Sequence, residues 1–295
     1  MVRHQQKPER DEKEKKVTFI AKEAVRCPVC DASFHREELF SGRLNAGDLT
    51  DELRRTYIPM QAYGEIHPLV YDVTVCPSCW YAAYKADFPT PSPKVASALS
   101  SDTAARVDAV QRLFGPTDFN SPRGLVEGAA SYYLAMLSYE KCTKEVAPVI
   151  KQGLSSLRAA WLCSSLAEKR PGENFDYVAQ LFYKKARFLY RLAVECETKG
   201  SERFSLQKWL GPDNDKNYGY EGVLYLEGVL ELKYGPRNDE ARRAAALESS
   251  KRNIAKMFGL GKSSKSKPGP LLDKARDLYD VLKAELKQED DETDD

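Results

Sequence analysis

Four of the seven cysteines fall in two matched pairs, Cys27-Pro-Val-Cys30 and Cys76-Pro-Ser-Cys79, with 45 residues between them. A Cys-x-x-Cys turn sets two sulfurs close enough to share one ion, and proline at its second position stiffens the turn. Two such turns complete a four-thiolate shell with no open position, the pattern of a structural zinc site. Cys27, Cys30, Cys76 and Cys79 are therefore expected to hold one Zn2+ between them. The rival chemistry is a dithiol redox site, which needs a strand-to-helix turn and a lowered thiol pKa. No βαβ pattern surrounds either pair. His35 and His67 lie between the pairs. The sulfur set is complete without them, so both read as surface or packing residues. Such a site carries two negative charges, and Arg26, Arg36 and Lys85 are the cations nearest to it in sequence.

The elements that must position these sulfurs are strands. Ser33-Phe34-His35-Arg36 alternates away from the first pair, and Leu69-Val70-Tyr71-Asp72-Val73-Thr74-Val75 runs into the second. The long insert between the pairs must contain structure of its own. A small β unit buries little apolar surface, so its metal would supply most of its folding free energy, on the order of 10 kcal/mol.

The run from His67 to Phe88, His-Pro-Leu-Val-Tyr-Asp-Val-Thr-Val-Cys-Pro-Ser-Cys-Trp-Tyr-Ala-Ala-Tyr-Lys-Ala-Asp-Phe, preceded by Cys27-Pro-Val-Cys30, resembles a bacterial family of uncharacterised proteins. Its members look like a zinc-ribbon head on a body of tetratricopeptide-like helices. The motif match covers residues 24–90. The resemblance implies the same four ligands, Cys27, Cys30, Cys76 and Cys79, and implies no reaction. One departure concerns the residue after each pair, where knuckles usually carry glycine because the position favours positive φ. Asp31 and Trp80 stand there. Asp tolerates that conformation and Trp does so poorly. The second knuckle is therefore expected to run straight into a helix, with Trp80, Tyr81, Tyr84 and Phe88 packing the ribbon onto the body.

Past Pro89-Thr-Pro-Ser-Pro93, which reads as a stiff linker, strand signals nearly vanish. Gly115-Pro116, Gly211-Pro212 and Gly235-Pro236 are expected to end helices, and Gly269-Pro270 adds a fourth such break. Leu125, Ala129, Tyr132, Tyr133 and Met136 fall at helical spacing, with Gly128 and Ala129 allowing a close neighbour. Further helices are expected over Val146–Leu166, from Phe175, after Asn217, over Glu240–Phe258 and across Leu271–Leu286. The helix from Phe175 carries a second apolar stripe, Leu181, Phe188 and Leu192, which predicts burial on two faces. Cys142, Cys163 and Cys196 lie within this helical texture and read as buried small apolar residues.

The fold class is thus mainly α: a small N-terminal β zinc ribbon followed by an α-helical tetratricopeptide-like solenoid or bundle. The chain divides into a disordered arm (1–20), the ribbon with a following helix (21–90), a helical domain (91–288) with a flexible basic loop (259–270), and an acidic tail (289–295).

The formal net charge of +1 gives no global pull toward nucleic acid or membrane. No apolar run approaches the ~18 residues of a membrane span, and Met1 to Lys16 has no signal-peptide core. The expected location is the cytoplasm, where thiols stay reduced. Gly259-Leu-Gly-Lys-Ser263 fails as a phosphate loop, because Lys256 stands where its first glycine is required. With no catalytic motif found, the chain is expected not to be an enzyme. The expected role is a scaffold whose helical groove, with Tyr132, Tyr133, Tyr183 or Tyr190 as lining candidates, binds a protein or peptide. The alternative is a nucleic-acid binder using Arg26, Arg36, Arg43, Arg54 and Arg55 of the ribbon with Lys262, Lys265 and Lys267.

Overall fold

A computed structural model of the chain describes residues 16–258 and 269–293. Alternating residues build the first hairpin, in which β1 (Thr18–Arg26) pairs antiparallel with β2 (Ser33–Leu39). Arg26 lies opposite Ser33 and Thr18 opposite Leu39, with an irregularity between Ile20 and Ala24. The insert between the cysteine pairs forms a second hairpin, β3 (Ala46–Leu49) with β4 (Arg55–Tyr57). The approach to the second pair is only partly extended. Pro68, at the start of a 3-10 turn over Pro68–Tyr71, coils the segment expected to be strand from Leu69. The extended part is β5 (Val73–Val75), paired antiparallel with β6 (Ala82–Tyr84).

Among the described residues eight α-helices follow: α1 (Pro93–Ser101), α2 (Thr103–Phe114), α3 (Leu125–Tyr139), α4 (Pro148–Lys169), α5 (Phe175–Lys199), α6 (Gly219–Tyr234), α7 (Glu240–Phe258) and α8 (Gly269–Thr293). The protein is mainly helical with small N-terminal antiparallel strands. From α3 onward each helix packs on the next, and α8 also reaches α6. Among the described residues, no helix is long and apolar enough to cross a membrane.

Several expectations shift in register or role. Residues 18–20, placed in a disordered arm, belong to β1, and residues 1–15 lie outside the described residues. The Pro-rich linker is shorter than expected: Ser92 caps α1 by accepting from the Val95 amide, and Pro93 opens the helix, where its missing N–H costs nothing. Gly115 ends α2 in the left-handed region (φ 76°). Gly211-Pro212, expected at a helix end, instead lies in the loop between α5 and α6, and Gly269-Pro270 begins α8. The expected basic loop falls largely outside the described residues, and α8 continues to Thr293 into the segment expected as a tail.

The helix enclosed on all sides is α4, not α5. Its small residues Gly153, Ser155, Ser156, Ala159, Ala160 and Cys163 are all buried, so neighbours close in around it. The second stripe of α5 faces outward instead: Leu181 and Phe188 are 44% and 53% exposed. One continuous apolar core runs from Cys27 through the helices to Leu282, so strands and helices share a single interior.

Gly128 of α3 sits where the two layers meet. A Cβ there would lie 2.9 Å from Val70 Cγ2 in the 3-10 turn and 3.0 Å from Leu162 Cδ1 in α4. Overfilling a packed site of this kind costs about 1–3 kcal/mol. Gly128→Leu should therefore lower unfolding stability by at least that amount in urea titration, against a far smaller change for the open-space substitution Gly42→Ala.

Candidate metal centre

Both cysteine pairs sit at the tips of β-hairpins, and the two tips are built alike. In the first, the Cys27 amide donates to the Ala32 carbonyl (2.8 Å) and the Asp31 amide donates to the Cys27 carbonyl (2.9 Å). In the second, the Cys76 amide donates to the Tyr81 carbonyl and the Trp80 amide to the Cys76 carbonyl, both at 2.9 Å. Closing each turn this way puts the fifth residue at positive φ, 62° for Asp31 and 56° for Trp80. The expected helix after the second knuckle is therefore absent; the chain enters β6. A left-handed conformation costs a non-glycine residue about 1–2 kcal/mol. Burial of the Trp80 indole, edge-on to Phe119 at 5.2 Å, offsets that cost. The aromatic cluster does pack ribbon against body. Tyr81 stacks on Phe88 at 4.7 Å, and the Tyr84 ring lies against Tyr132 and Tyr139.

The hairpin tips face each other. Cys27 Sγ is 3.6 Å from Cys79 Sγ, and Cys30 Sγ is 3.6 Å from Cys76 Sγ. All four sulfurs lie within 4.8 Å of one another. A disulfide needs about 2.05 Å, so these are free thiols gathered around one point, and four such ligands can share a metal ion. Cys27, Cys76 and Cys79 are buried and Cys30 is exposed. Hydrogen bonding among them splits their acidities: Cys27 and Cys79 stabilise a Cys76 thiolate and draw its pKa far down. The Cys27 thiol, paired with Cys76, is pushed up to about 12, and Cys79 rises further. Among the described residues this is the one group of three or more Cys, His, Asp or Glu placed to hold an ion. His35 donates from Nδ1 to the Ala21 carbonyl, and His67 lies beside Glu65, so neither joins it.

The cation beside the sulfurs is Arg106, which sequence proximity did not suggest. It is 3% exposed, donates from Nη2 to the Cys79 carbonyl (2.9 Å), and also reaches the Leu99 carbonyl. Burial pulls its pKa down, while negative charge at Cys79, Cys27 and Cys76 pushes it up. Its signal was a charged residue on a buried stripe, because Arg106, Val110 and Phe114 recur every fourth residue along α2. The nearer cations look elsewhere: Arg26 pairs with Asp31 at the surface, and Arg36 and Lys85 both pair with Glu38.

A scan against protein-family models matches residues 20–282 to the family described as "Uncharacterized protein conserved in bacteria (DUF2225)". The chain belongs to this family. It is also 41% identical over 276 residues to a protein of Borreliella burgdorferi (strain ATCC 35210 / DSM 4680 / CIP 102532 / B31) described as "Uncharacterized protein", covering 92% of this chain and 99% of that one. No solved structure matches.

Across the rest of this family member, the ribbon insert reaches into the helices. The β3–β4 tip buries Glu52, which accepts from Trp161 Nε1 (2.6 Å), Tyr183 Oη (3.3 Å), Lys233 Nζ (3.0 Å) and Tyr234 Oη (3.4 Å). Leu53 is fully buried beside it at φ 57°. Of the tyrosines expected along a groove, Tyr183 therefore holds the chain's own hairpin. Tyr132 and Tyr190 are core residues, and Tyr133 is half-buried between Phe114 and Phe182. Arg54 donates to the Trp161 carbonyl and Ser165, Arg55 pairs with Asp215, and Arg43 lies over the Phe40 ring. Lys262, Lys265 and Lys267 lie outside the described residues.

Removing Arg106 would strand two buried carbonyls that now receive a charged donor, at a cost on the order of 2–3 kcal/mol. Arg106→Met should show that loss in chemical denaturation. Arg26→Met, whose ion pair is solvated, should change stability by no more than about 1 kcal/mol.

Proposed function

We propose that this protein is a non-catalytic, zinc-stabilised scaffold that binds a protein or peptide partner. The observation that carries the metal reading is the sulfur geometry. Zinc bound to four thiolates at about 2.3 Å sets the sulfurs about 3.8 Å apart, close to the two 3.6 Å separations found across the pairs. Four identical soft ligands complete the shell of a structural ion and leave no position for water or substrate. The ion would supply the charge that lets all four thiols ionise together. Each pair also joins strand to strand rather than strand to helix, so no helix N-terminus activates a thiol for redox work.

Metal analysis of protein purified without added metal should find one zinc per chain. Cys27→Ser and Cys76→Ser should each lower the zinc content severalfold and reduce the melting temperature. Acid titration should release the zinc as the thiolates take up protons. Iron in its place, or a metal-free protein with an unchanged melting curve after Cys76→Ser, would refute the reading.

Partner binding is supported by surface chemistry. Sequential packing of α3 to α8 suits a tetratricopeptide-like body, yet the surface lined by Trp161, Tyr183 and Lys233 already receives Glu52. Apolar side chains are left open on the outer face of α5, where Tyr177 (63% exposed), Leu181 and Phe188 recur at four- and seven-residue spacing. Large apolar side chains exposed along one helix suit a protein contact better than open solvent. The nucleic-acid alternative draws less support, since Arg26, Arg36 and Arg55 each face a carboxylate of this chain. Co-purification with the full chain should recover a partner that the Leu181→Glu/Phe188→Glu variant, with its zinc content intact, loses. Identical recovery by both proteins at low and at physiological salt would overturn this surface.

A further inference from the structure

A cavity of about 470 Å3 opens where the ribbon, α4 and the loop between α5 and α6 meet. Its size falls in the range of small-molecule sites, and it lies apart from the sulfurs and from the outer face of α5. Its walls are largely apolar. Leu154 is buried on one side, while Leu206 (74% exposed) and Trp209 (48% exposed) stand at the rim, the first mostly and the second about half uncovered.

The charges in it differ in how fully they are used. Arg158 is spent on the fold: it donates to the Pro212 and Gly211 carbonyls and to Asp72. Lys85 is tied to Glu38. Lys151 is not spent. Its side chain is 9% exposed and lines the cavity, and its ammonium has Asp87, at 2.7 Å, as its one acceptor among the described residues. An ammonium carries three N–H donors, so beside Asp87 and the Tyr139 ring at 5.7 Å Lys151 retains donor capacity, in a place where water is scarce. Asp87 is meanwhile shared with the Tyr139 hydroxyl at 2.6 Å. At the rim, Lys208 is exposed and has no ion pair among the described residues. With Lys85 neutralised by Glu38, two carboxylates, Asp72 and Asp87, face three cations, Lys151, Arg158 and Lys208, leaving the cavity net positive by one over an apolar lining.

The geometry points to a binding site for a small amphipathic carboxylic acid, its carboxylate on Lys151 and its apolar or aromatic body against Leu154, Leu206 and Trp209. The buried ammonium supplies a charge-assisted hydrogen bond that a neutral ligand of the same shape does not receive. The half-exposed indole supplies a flat face at the mouth. This site is independent of the zinc and partner readings above.

The test uses two fluorescent probes with the same body, pyrenebutyrate and the neutral pyrenebutanol, titrated into the full-length protein with quenching of Trp209 emission as the readout. One pyrenebutyrate should bind per chain, saturably and at least tenfold more tightly than pyrenebutanol. Lys151→Met/Asp87→Asn, which keeps the buried floor neutral, should remove that tenfold preference. Lys151→Arg should keep much of it. Trp209→Ala, a rim substitution, should weaken both probes, as read by pyrene anisotropy. Equal binding of the two probes, a preference that survives Lys151→Met/Asp87→Asn, or affinities untouched by Trp209→Ala would each overturn the assignment.

Discussion

Bringing four sulfurs from two hairpin tips to within 4.8 Å of one another is the constraint from which the rest of the ribbon follows. Four thiols at that spacing cannot ionise together without a cation, because each thiolate raises the cost of the next. Hydrogen bonding among them instead draws the Cys76 thiol down in pKa and pushes Cys27 and Cys79 up. With the proposed zinc, the same atoms become four equivalent anions in a closed shell. The two knuckles reach this point by the same pair of backbone hydrogen bonds, so each hairpin presents its sulfurs in the same local frame. The 45 residues between the pairs must leave that point and return to it. They spend the excursion on a hairpin whose tip is buried in the helical layer.

What fixes ribbon to body is a set of buried polar contacts that cross between them. Arg106 of α2 grips the carbonyl of Cys79, Arg158 of α4 pairs with Asp72, and Glu52 from the insert gathers donors from α4, α5 and α6. Buried ion pairs of this kind recover little net stability, since desolvation cancels much of the Coulomb attraction. Their effect here is geometric. An apolar interface tolerates sliding, whereas each of these charges leaves an unsatisfied partner if the layers shift by an ångström or two.

The four-cysteine cluster was legible in the sequence because its information is local: two Cys-x-x-Cys turns carry their own geometry, whatever surrounds them. Helix positions were legible for a similar reason, and α7 runs over the span that its periodicity marks. Three features resisted. The left-handed conformation of Trp80 is set by closure of its own turn, but the contact with Phe119 that offsets its cost comes from far along the chain. Enclosure of α4 rather than α5 depends on which stripe finds a neighbour, and two apolar stripes on α5 look alike until the packing is known. The cation that grips the Cys79 carbonyl, Arg106, is 27 residues from Cys79, whereas proximity in sequence favoured other cations. Its place on the stripe of Val110 and Phe114 was visible, but a charge on an apolar stripe does not state what it faces.

The loop between α5 and α6 shows how these contacts reach beyond the ribbon. Arg158 holds the Gly211 and Pro212 carbonyls, Asp213 accepts from the Arg55 amide, and Asn214 donates to Asp72. Body and ribbon thus anchor the same four residues from both sides. At Gly211 a Cβ would lie 2.8 Å from the Trp209 ring and 2.6 Å from the Lys216 carbonyl, so the indole lies folded over a backbone that only glycine allows. Trp209 is in this way held half out of the protein by its own loop. A side chain fixed before binding has little rotamer freedom left to lose when something covers it. The same contacts that set the ribbon on the helices therefore also prepare the most exposed tryptophan of the chain for an apolar ligand.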